Sequence, residues 1–281
     1  MSRIAAKFAA LKAEGRGALI PFLEAWDPDE ATSLAILRGM PAAGADLIEI
    51  GCPFTDPMAD GPIIQLAARR ALDAGATMLR TLAMVRTFRT EDTTTPIILM
   101  GYLNPILSYG TQKFCTDAAH AGVDGMIIVD LPTEEADLLA TDAAANDIDI
   151  IRLIAPTTDD ARIPHVLQGS SGFVYYVSIT GITGTRTASS AELAEAIPRI
   201  RAHTSLPIAV GFGVRTPAQA AAVVGVADGA VVASALIDTL RESLDAEGRA
   251  TPATVVRVLA QVTALAGAVK GQRKASQDVL F

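Results

Sequence analysis

The chain has 281 residues, half of them apolar, and this length suits one large α/β barrel or two smaller domains. The net charge of −8 argues against a nucleic-acid-binding protein, because contacts with a phosphate backbone require a basic surface. Two cysteines, Cys52 and Cys115, stand far apart in the sequence. They predict no disulfide framework and fit a reducing cytoplasm.

The first residues predict an amphipathic helix rather than a signal peptide. Residues 1–14 are rich in alanine but include the charged Arg3, Lys7 and Glu14. We expect this helix to pack on the domain that follows. The longest apolar stretch, 218–237, is interrupted by Asp228 and by glycines, so no membrane-spanning segment is predicted.

Short apolar, β-branched segments alternate with alanine-rich segments of helical periodicity. Most of the apolar segments lack polar alternation, as expected for parallel strands covered on both faces. Eight such units predict a single (β/α)8 TIM barrel over residues 1–281 with an extra N-terminal helix and a frayed tail from 270. An open doubly wound sheet is the alternative. The predicted strands are 18–22, 46–50, 96–100, 125–129, 149–154, 173–178, 207–210 and 229–233. The main predicted helices are 3–13, 30–43, 63–74, 78–89, 114–121, 134–146, 191–202, 217–224 and 252–266.

The loop after the second strand carries two carboxylates. Glu49 stands at the C-terminal end of the strand, and Asp60 lies in the loop beyond it, among prolines and glycines. Two carboxylates that close on one small substrate are suited to paired acid–base chemistry. A solvated acidic loop is the alternative for an isolated glutamate, but the strand, both acids and the Pro/Gly positions together favour a catalytic site.

Active sites of β/α barrels lie at the C-terminal ends of the strands, so the residues there predict the pocket. Aromatic and apolar side chains end several strands. Asp130 is expected to cap a helix or to bond across the barrel mouth, with substrate contact as the alternative. The predicted lining residues are Phe22, Met100, Tyr102, Val129, Tyr175 and Phe212.

Small residues follow the last three predicted strands. Gly184, Gly213 and the pair Ala233 and Ser234 lie where backbone N–H groups can approach an anion closely. Tight βα turns are the alternative explanation for the glycines. Because loops after the last two strands commonly bind phosphate in these barrels, we predict a phosphate site there.

No cofactor or metal is predicted for this chain. It contains neither a Gly-x-Gly-x-x-Gly nor a P-loop sequence, so no dinucleotide or ATP is implied. His120, His165 and His203 lack paired ligand spacing and are expected at the surface. Cys52 lies in the acidic loop without a histidine partner and is expected to be a packing residue.

Five ordered segments carry a resemblance to a known family. They are the acidic loop 49–62, Gly101-Tyr102-x-Asn104-Pro105, Asp130-Leu131-Pro132, Ser178-x-Thr180-Gly181-x-Thr183-Gly184, and Gly211-Phe212-Gly213 with Pro217. From about residue 8 to 266 the chain resembles the tryptophan synthase alpha subunit family. The resemblance implies a TIM barrel that cleaves indole-3-glycerol phosphate to indole and glyceraldehyde 3-phosphate. It also implies an α2β2 heterotetramer in which indole passes to a β subunit that holds the pyridoxal phosphate.

For such a reaction the residues take definite roles. Glu49, with its pKa raised by burial against Phe22 and Tyr175, would protonate the indole ring and later accept the hydroxyl proton. Asp60 would stay ionised and accept the indole N–H. Tyr175 would position Glu49 or the substrate. Thr183, in the loop after the sixth strand, would close over the site and hold Asp60.

The chain departs from the family pattern at three positions. Family members usually have glycine in place of Trp26, many have glycine in place of Ala233, and Glu24 with Trp26 alters the loop after the first strand. These departures bear on substrate affinity and on coupling to a β subunit. Two alternatives remain open: a stand-alone lyase with the same chemistry, and a regulatory subunit of low intrinsic activity. Another phosphate-binding barrel enzyme, such as an isomerase, does not account for Glu49 and Asp60.

Overall fold

A computed structural model describes residues 2–178, 190–211 and 213–272. Parallel strand segments form one sheet, surrounded by α-helices and one short 3₁₀ helix at Thr133–Glu135. The strands are β1 Ala18–Glu24, β2 Ile48–Gly51, β3 Ile97–Gly101, β4 Gly125–Ile128, β5 Asp149–Ile150, β6 Arg152–Ile154, β7 Val174–Val177, β8 Ile208–Gly211 and β9 Gly229–Val232. The helices are α1 Arg3–Ala13, α2 Glu30–Ala43, α3 Pro62–Asp73, α4 Met78–Arg89, α5 Leu103–Tyr109, α6 Thr111–Ala121, α7 Asp137–Ala145, α8 Ile163–Val166, α9 Ser190–Arg201, α10 Pro217–Val226, α11 Ser234–Arg241 and α12 Thr254–Gly271.

The sheet closes into a barrel through the fifth predicted strand. The hydrogen-bonded order is β5-β4-β3-β2-β1-β9-β8-β7-β6, and every pairing is parallel. β5 and β6 are the two halves of the predicted strand 149–154, separated by Ile151. β5 pairs with β4 and β6 pairs with β7, so this strand joins both ends of the sheet. The predicted barrel is confirmed, and the open sheet is excluded.

Helix α1 closes the N-terminal end of the barrel. Its buried residues Ile4, Phe8 and Leu11 belong to the apolar cluster of the inward-facing strand residues. The ring centroids of Phe8 and Phe173 lie 5.7 Å apart. At the start of β4, a Cβ on Gly125 would lie 2.9 Å from Ile4 Cδ1, so a glycine at this position leaves room for helix α1. The only open end of the described barrel is therefore the C-terminal mouth.

Helix boundaries follow local capping chemistry where the sequence supplies it. The Asp29 side chain accepts the Thr32 N–H at 2.8 Å at the start of α2, and Gly44 ends that helix with a φ of 105°. Thr216 and Gln219 form a capping box at the start of α10. The short α5, α8 and α11 were not predicted, because they are brief and none has a side-chain cap.

Helix α12 is long and apolar enough, by length and composition, to cross a membrane. It packs instead along α2 and α10 in the outer layer of the barrel. One face is buried there through Val258, Val262, Leu265 and Val269. It extends to Gly271, beyond the predicted end at 266 and into the predicted tail; residues 273–281 lie outside the described ranges.

Candidate active site

Glu49 is buried inside the C-terminal mouth of the barrel. It lies on β2, in register with Phe22 of β1 and Ile98 of β3, and is 1% exposed. Within the described residues its Oε2 has no hydrogen-bond partner. Burial, with a smaller contribution from the Asp60 charge, raises the pKa of Glu49 to about 8. The carboxyl is therefore largely protonated at neutral pH, as the first step of the predicted chemistry requires.

Asp60 is fixed by the acidic loop and by the end of β3. Its Oδ2 accepts the Tyr102 hydroxyl at 2.9 Å, and that hydroxyl accepts the Ala59 N–H at 3.0 Å. Gln65, at the start of α3, donates to the Asp60 backbone oxygen at 2.7 Å. Burial raises the pKa of Asp60, whereas the Tyr102 hydrogen bond lowers it. The tyrosine thus favours the ionised form.

Tyr175 lies inside the barrel on β7, 3% exposed. A Cβ on Gly211 of β8 would overlap the Tyr175 hydroxyl, so glycine is required for the ring to lie there. Burial, with added effects of the charges on Glu49 and Asp60, raises the pKa of Tyr175 well above its usual value. The phenol stays protonated near both carboxyl groups.

Glu24 is a third acid at the same mouth. The predicted first strand ended at Phe22, but β1 continues to Glu24, in register with Gly51. The Glu24 carboxylate and the Phe22 ring occupy the space that a Cβ on Gly51 would need. Burial, together with Asp60 and Asp27, raises the pKa of Glu24 well above its usual value. Because side chains alternate along a strand, Glu24 lies on the same face as Phe22. This alternation could have identified Glu24, but the predicted strand ended before it.

One cavity at the mouth is lined by Asp60 and by four of the six predicted lining residues, whereas Glu49 and Tyr175 are not among the residues that line it. Phe54 of the acidic loop and Ile64 of α3 also line it; sequence reasoning did not identify them, because their orientation depends on the loop path. The ring centroids of Phe54 and Tyr102 lie 5.3 Å apart, so the acidic loop packs against the residue that follows β3. The cavity is lined by Phe22, Glu24, Phe54, Asp60, Ile64, Met100, Tyr102 and Val129, among others.

The predicted phosphate corner is described in part. Gly213 has a φ of 82°, which favours glycine. Ala233 precedes α11, whose first residue is Ser234, and no side chain caps that end. Backbone N–H groups at an uncapped helix start suit an anion. Thr183, Gly184 and Phe212 lie outside the described residues, and the roles predicted for them stay predictions.

Trp26 takes a backbone conformation that favours glycine. Its φ is 71°, in the left-handed region that residues with a side chain rarely adopt. Its backbone N–H donates to Ser33 Oγ at 3.0 Å, and the Arg80 guanidinium carbon lies 5.2 Å from the ring centroid. The indole is 7% exposed and packs in the outer core rather than in the cavity.

Two other predicted residues have structural contacts. Asp130 accepts the Leu103 N–H at 2.8 Å, so it bonds across the barrel mouth to the start of α5 rather than capping its own helix. Burial raises the pKa of the Cys52 thiol, which disfavours a thiolate nucleophile. Among the described residues there is no group of three or more potential metal ligands.

Comparison with known proteins gives one consistent result. Residues 8–269 match the family model described as tryptophan synthase alpha chain. Tryptophan synthase alpha chains from Granulibacter bethesdensis and Gluconacetobacter diazotrophicus are 70% and 69% identical to this chain over 273 residues. Each alignment covers 97% of this chain; it covers 98% of the Granulibacter protein and 100% of the Gluconacetobacter protein.

Solved structures agree in fold. Tryptophan synthase subunit alpha from Legionella pneumophila is 38% identical with a TM-score of 0.88, covering 96% of this chain and 99% of that chain. A chain of Mycobacterium tuberculosis tryptophan synthase is 35% identical with a TM-score of 0.86, covering 96% and 98%.

Proposed function

The chain belongs to the tryptophan synthase alpha chain family, and we propose that Glu49 and Asp60 at its barrel mouth perform the reaction of that family. The protein is a carbon–carbon lyase that cleaves indole-3-glycerol phosphate to indole and glyceraldehyde 3-phosphate in tryptophan biosynthesis. The observation that carries the assignment of residues is the buried carboxyl of Glu49, whose Oε2 has no hydrogen-bond partner among the described residues, together with a second carboxyl, Asp60, held by Tyr102.

Glu49 is proposed to move both protons. In the neutral form favoured by burial, it donates a proton to C3 of the indole ring. The resulting carboxylate then accepts the proton of the adjacent glycerol hydroxyl. As the carbonyl forms, the carbon–carbon bond breaks and its electrons return to the ring, so Glu49 ends neutral as it began.

Asp60 is proposed to stabilise the charge that develops between those two steps. Protonation at C3 places positive charge on the ring nitrogen, and an ionised Asp60 accepts that N–H. The Tyr102 hydrogen bond supports this role because it favours the carboxylate. Phe22, Met100 and Val129 supply flat apolar walls for the indole.

The phosphate is proposed to bind at Gly213, Ala233 and Ser234, with Gly184 completing the site. Support comes from the uncapped start of α11 and the positive φ of Gly213. Ala233 packs against the apolar cluster that includes Phe22, which supports a phosphate corner next to the indole walls.

Membership of this family implies a β-subunit partner. We infer an α2β2 assembly in the cytoplasm, with pyridoxal phosphate on the β subunit and no cofactor on this chain. Met58, 81% exposed in the acidic loop at the barrel mouth, supports a partner contact there. The proposed steps need no group beyond the two carboxyls.

The decisive experiment follows indole release from indole-3-glycerol phosphate by the purified chain while a β subunit is titrated in. We expect measurable release alone and acceleration of about tenfold or more with the partner, which is roughly 1.4 kcal/mol of coupling. Release that does not respond, without binding, supports the stand-alone lyase. Negligible release in both conditions, with activation of the β reaction, supports the regulatory subunit.

A further inference from the structure

A second cavity of about 270 Å³ lies beside the strands that follow the catalytic ones. Its walls come from the end of β4, the 3₁₀ helix after it, β6 and α8. Ile151 and Leu153 face the barrel interior, so Arg152 between them points to the outer side. This cavity is distinct from the cavity at the barrel mouth that Asp60 lines, although Val129 lines both. Its polar lining residues are Asp130, Thr133, Arg152 and Arg162.

Arg152 carries a buried charge without a counterion. The residue is 6% exposed, and its guanidinium donates from Nη1 to the Leu131 backbone oxygen at 3.1 Å. Its Nε has no hydrogen-bond partner, and within the described part of the chain no carboxylate lies within 4.0 Å of it. Burial lowers the pKa of Arg152, with no neighbouring acid to offset it.

The other charged groups at this cavity are already engaged. Arg162, at the rim, pairs with Glu134 at 2.8 Å. Asp130 accepts the Leu103 N–H, and the Thr133 hydroxyl donates to the Val166 backbone oxygen at 3.0 Å. Arg152 is therefore the cation lining this cavity that has no acidic partner among the described residues.

A buried, unpaired cation is strongly unfavourable unless something compensates it. An arginine guanidinium presents a planar fork of donors that matches an oxyanion in two-point contact. We propose that the Arg152 cavity binds a small anionic metabolite through a phosphate or carboxylate group, at a site separate from the catalytic pocket.

The test measures thermal unfolding of the full chain in sodium phosphate and in sodium chloride of equal ionic strength. The variants are Arg152→Met and, as a control for net charge, Arg86→Met, since Arg86 is exposed on α4. The catalytic phosphate corner is the same in all three proteins, so its contribution cancels. At phosphate about tenfold above the dissociation constant, the unfolding midpoint of wild type and Arg86→Met should rise about 3 to 6 °C more than that of Arg152→Met.

In chloride, Arg152→Met should be as stable as wild type or more stable, because it removes a buried unpaired charge. Equal phosphate shifts in wild type and Arg152→Met would overturn the proposal. So would strong destabilisation of Arg152→Met in chloride, which would mean that the protein itself satisfies the charge. If that variant does not fold, Arg152→Lys replaces it, and its phosphate response should be smaller than that of wild type because a lysine lacks the fork.

Two further arms identify the anion and its place. Acetate in place of phosphate separates a carboxylate preference from a phosphoryl preference, according to which salt gives the larger Arg152-dependent shift. Crystals soaked in selenate should show anomalous density in this cavity, within hydrogen-bond distance of the Arg152 guanidinium. Selenate at the catalytic corner alone would contradict the proposal while leaving the proposed function intact.

Discussion

The Tyr102 hydroxyl donates to Asp60 Oδ2 at 2.9 Å, so a residue that follows β3 holds the carboxylate of the loop that follows β2. Two neighbouring strand ends are thereby locked together at the point where the indole nitrogen is proposed to bind. The bond also lowers the pKa of Asp60 against the effect of burial.

Removing that hydroxyl should weaken catalysis without unfolding the protein. A hydrogen bond to a charged group contributes about 1.5–3 kcal/mol, so Tyr102→Phe should reduce kcat/KM about 10- to 100-fold. Tyr109→Phe is the matched control, because the Tyr109 hydroxyl bonds Asp117 at 2.7 Å on the surface. Equal activities of the two variants would show that Tyr102 does not act through Asp60.

Glu49→Gln should nearly abolish indole release and leave substrate binding largely intact. The amide keeps the shape of the carboxyl but cannot transfer the proton, a contribution of about 10²–10⁴-fold. Single-turnover cleavage gives the chemical rate, and calorimetry with a substrate analogue gives the affinity. Glu135→Gln, on the exposed 3₁₀ helix, controls for loss of one carboxylate. Turnover near the wild-type rate would remove Glu49 from the mechanism.

Protein stability should fall with rising pH because of Glu49. Its folded-state pKa of about 8 lies above the value of 4.5 for an unperturbed glutamate, so between these pH values the folded chain binds more protons than the unfolded chain. The free energy of unfolding should decrease across this window and should do so less steeply in Glu49→Gln. Denaturant titrations of both proteins at several pH values measure the difference. The contribution of Glu24 is the same in both proteins and cancels.

The same proton sets the alkaline limit of activity. If neutral Glu49 starts the reaction, kcat/KM for the free enzyme should decline above pH 8. A profile that keeps rising through pH 9 would assign the first proton to another group.

A negative charge before α11 should exclude the substrate phosphate. Ala233→Asp should raise KM at least tenfold, while the favourable interaction of an aspartate with the helix dipole preserves or increases stability. Ala253→Asp is the matched control, since Ala253 occupies the same position before α12. An unchanged KM in Ala233→Asp would place the phosphate elsewhere.

Trp26 combines a strained backbone with a buried ring, and the two effects oppose each other on substitution. Loss of a buried tryptophan costs about 3–5 kcal/mol, whereas glycine relieves about 1–2 kcal/mol of left-handed strain. Trp26→Gly should therefore be destabilised by about 2 kcal/mol in urea titrations, less than Trp26→Ala, which keeps the strain. The opposite order would mean that φ is not strained at residue 26.

The barrel was predictable because its strands are apolar runs without polar alternation, which few folds require. The division of strand 149–154 at Ile151 could not be predicted, because its two halves look alike in sequence and differ only in the strand with which each one pairs.

Strand-end reasoning identified Glu49 and Asp60 as candidates, and the structure places both at the barrel mouth; their catalytic roles stay predictions. The contact of Tyr102 with Asp60 depends on a loop path that no local pattern encodes. Glu24 was assigned to the loop because the predicted first strand ended at Phe22.

The position of helix α1 at the N-terminal end of the barrel has a consequence for the translation of the chain. Ile4 and Phe8 emerge from the ribosome well before Phe173, against which Phe8 packs and which appears only after more than half of the barrel has been translated at about 5–20 residues per second. For those seconds the apolar face of α1 lacks part of its native cover. Early in translation, chaperone binding should therefore concentrate on this first helix and cease once the seventh strand is made.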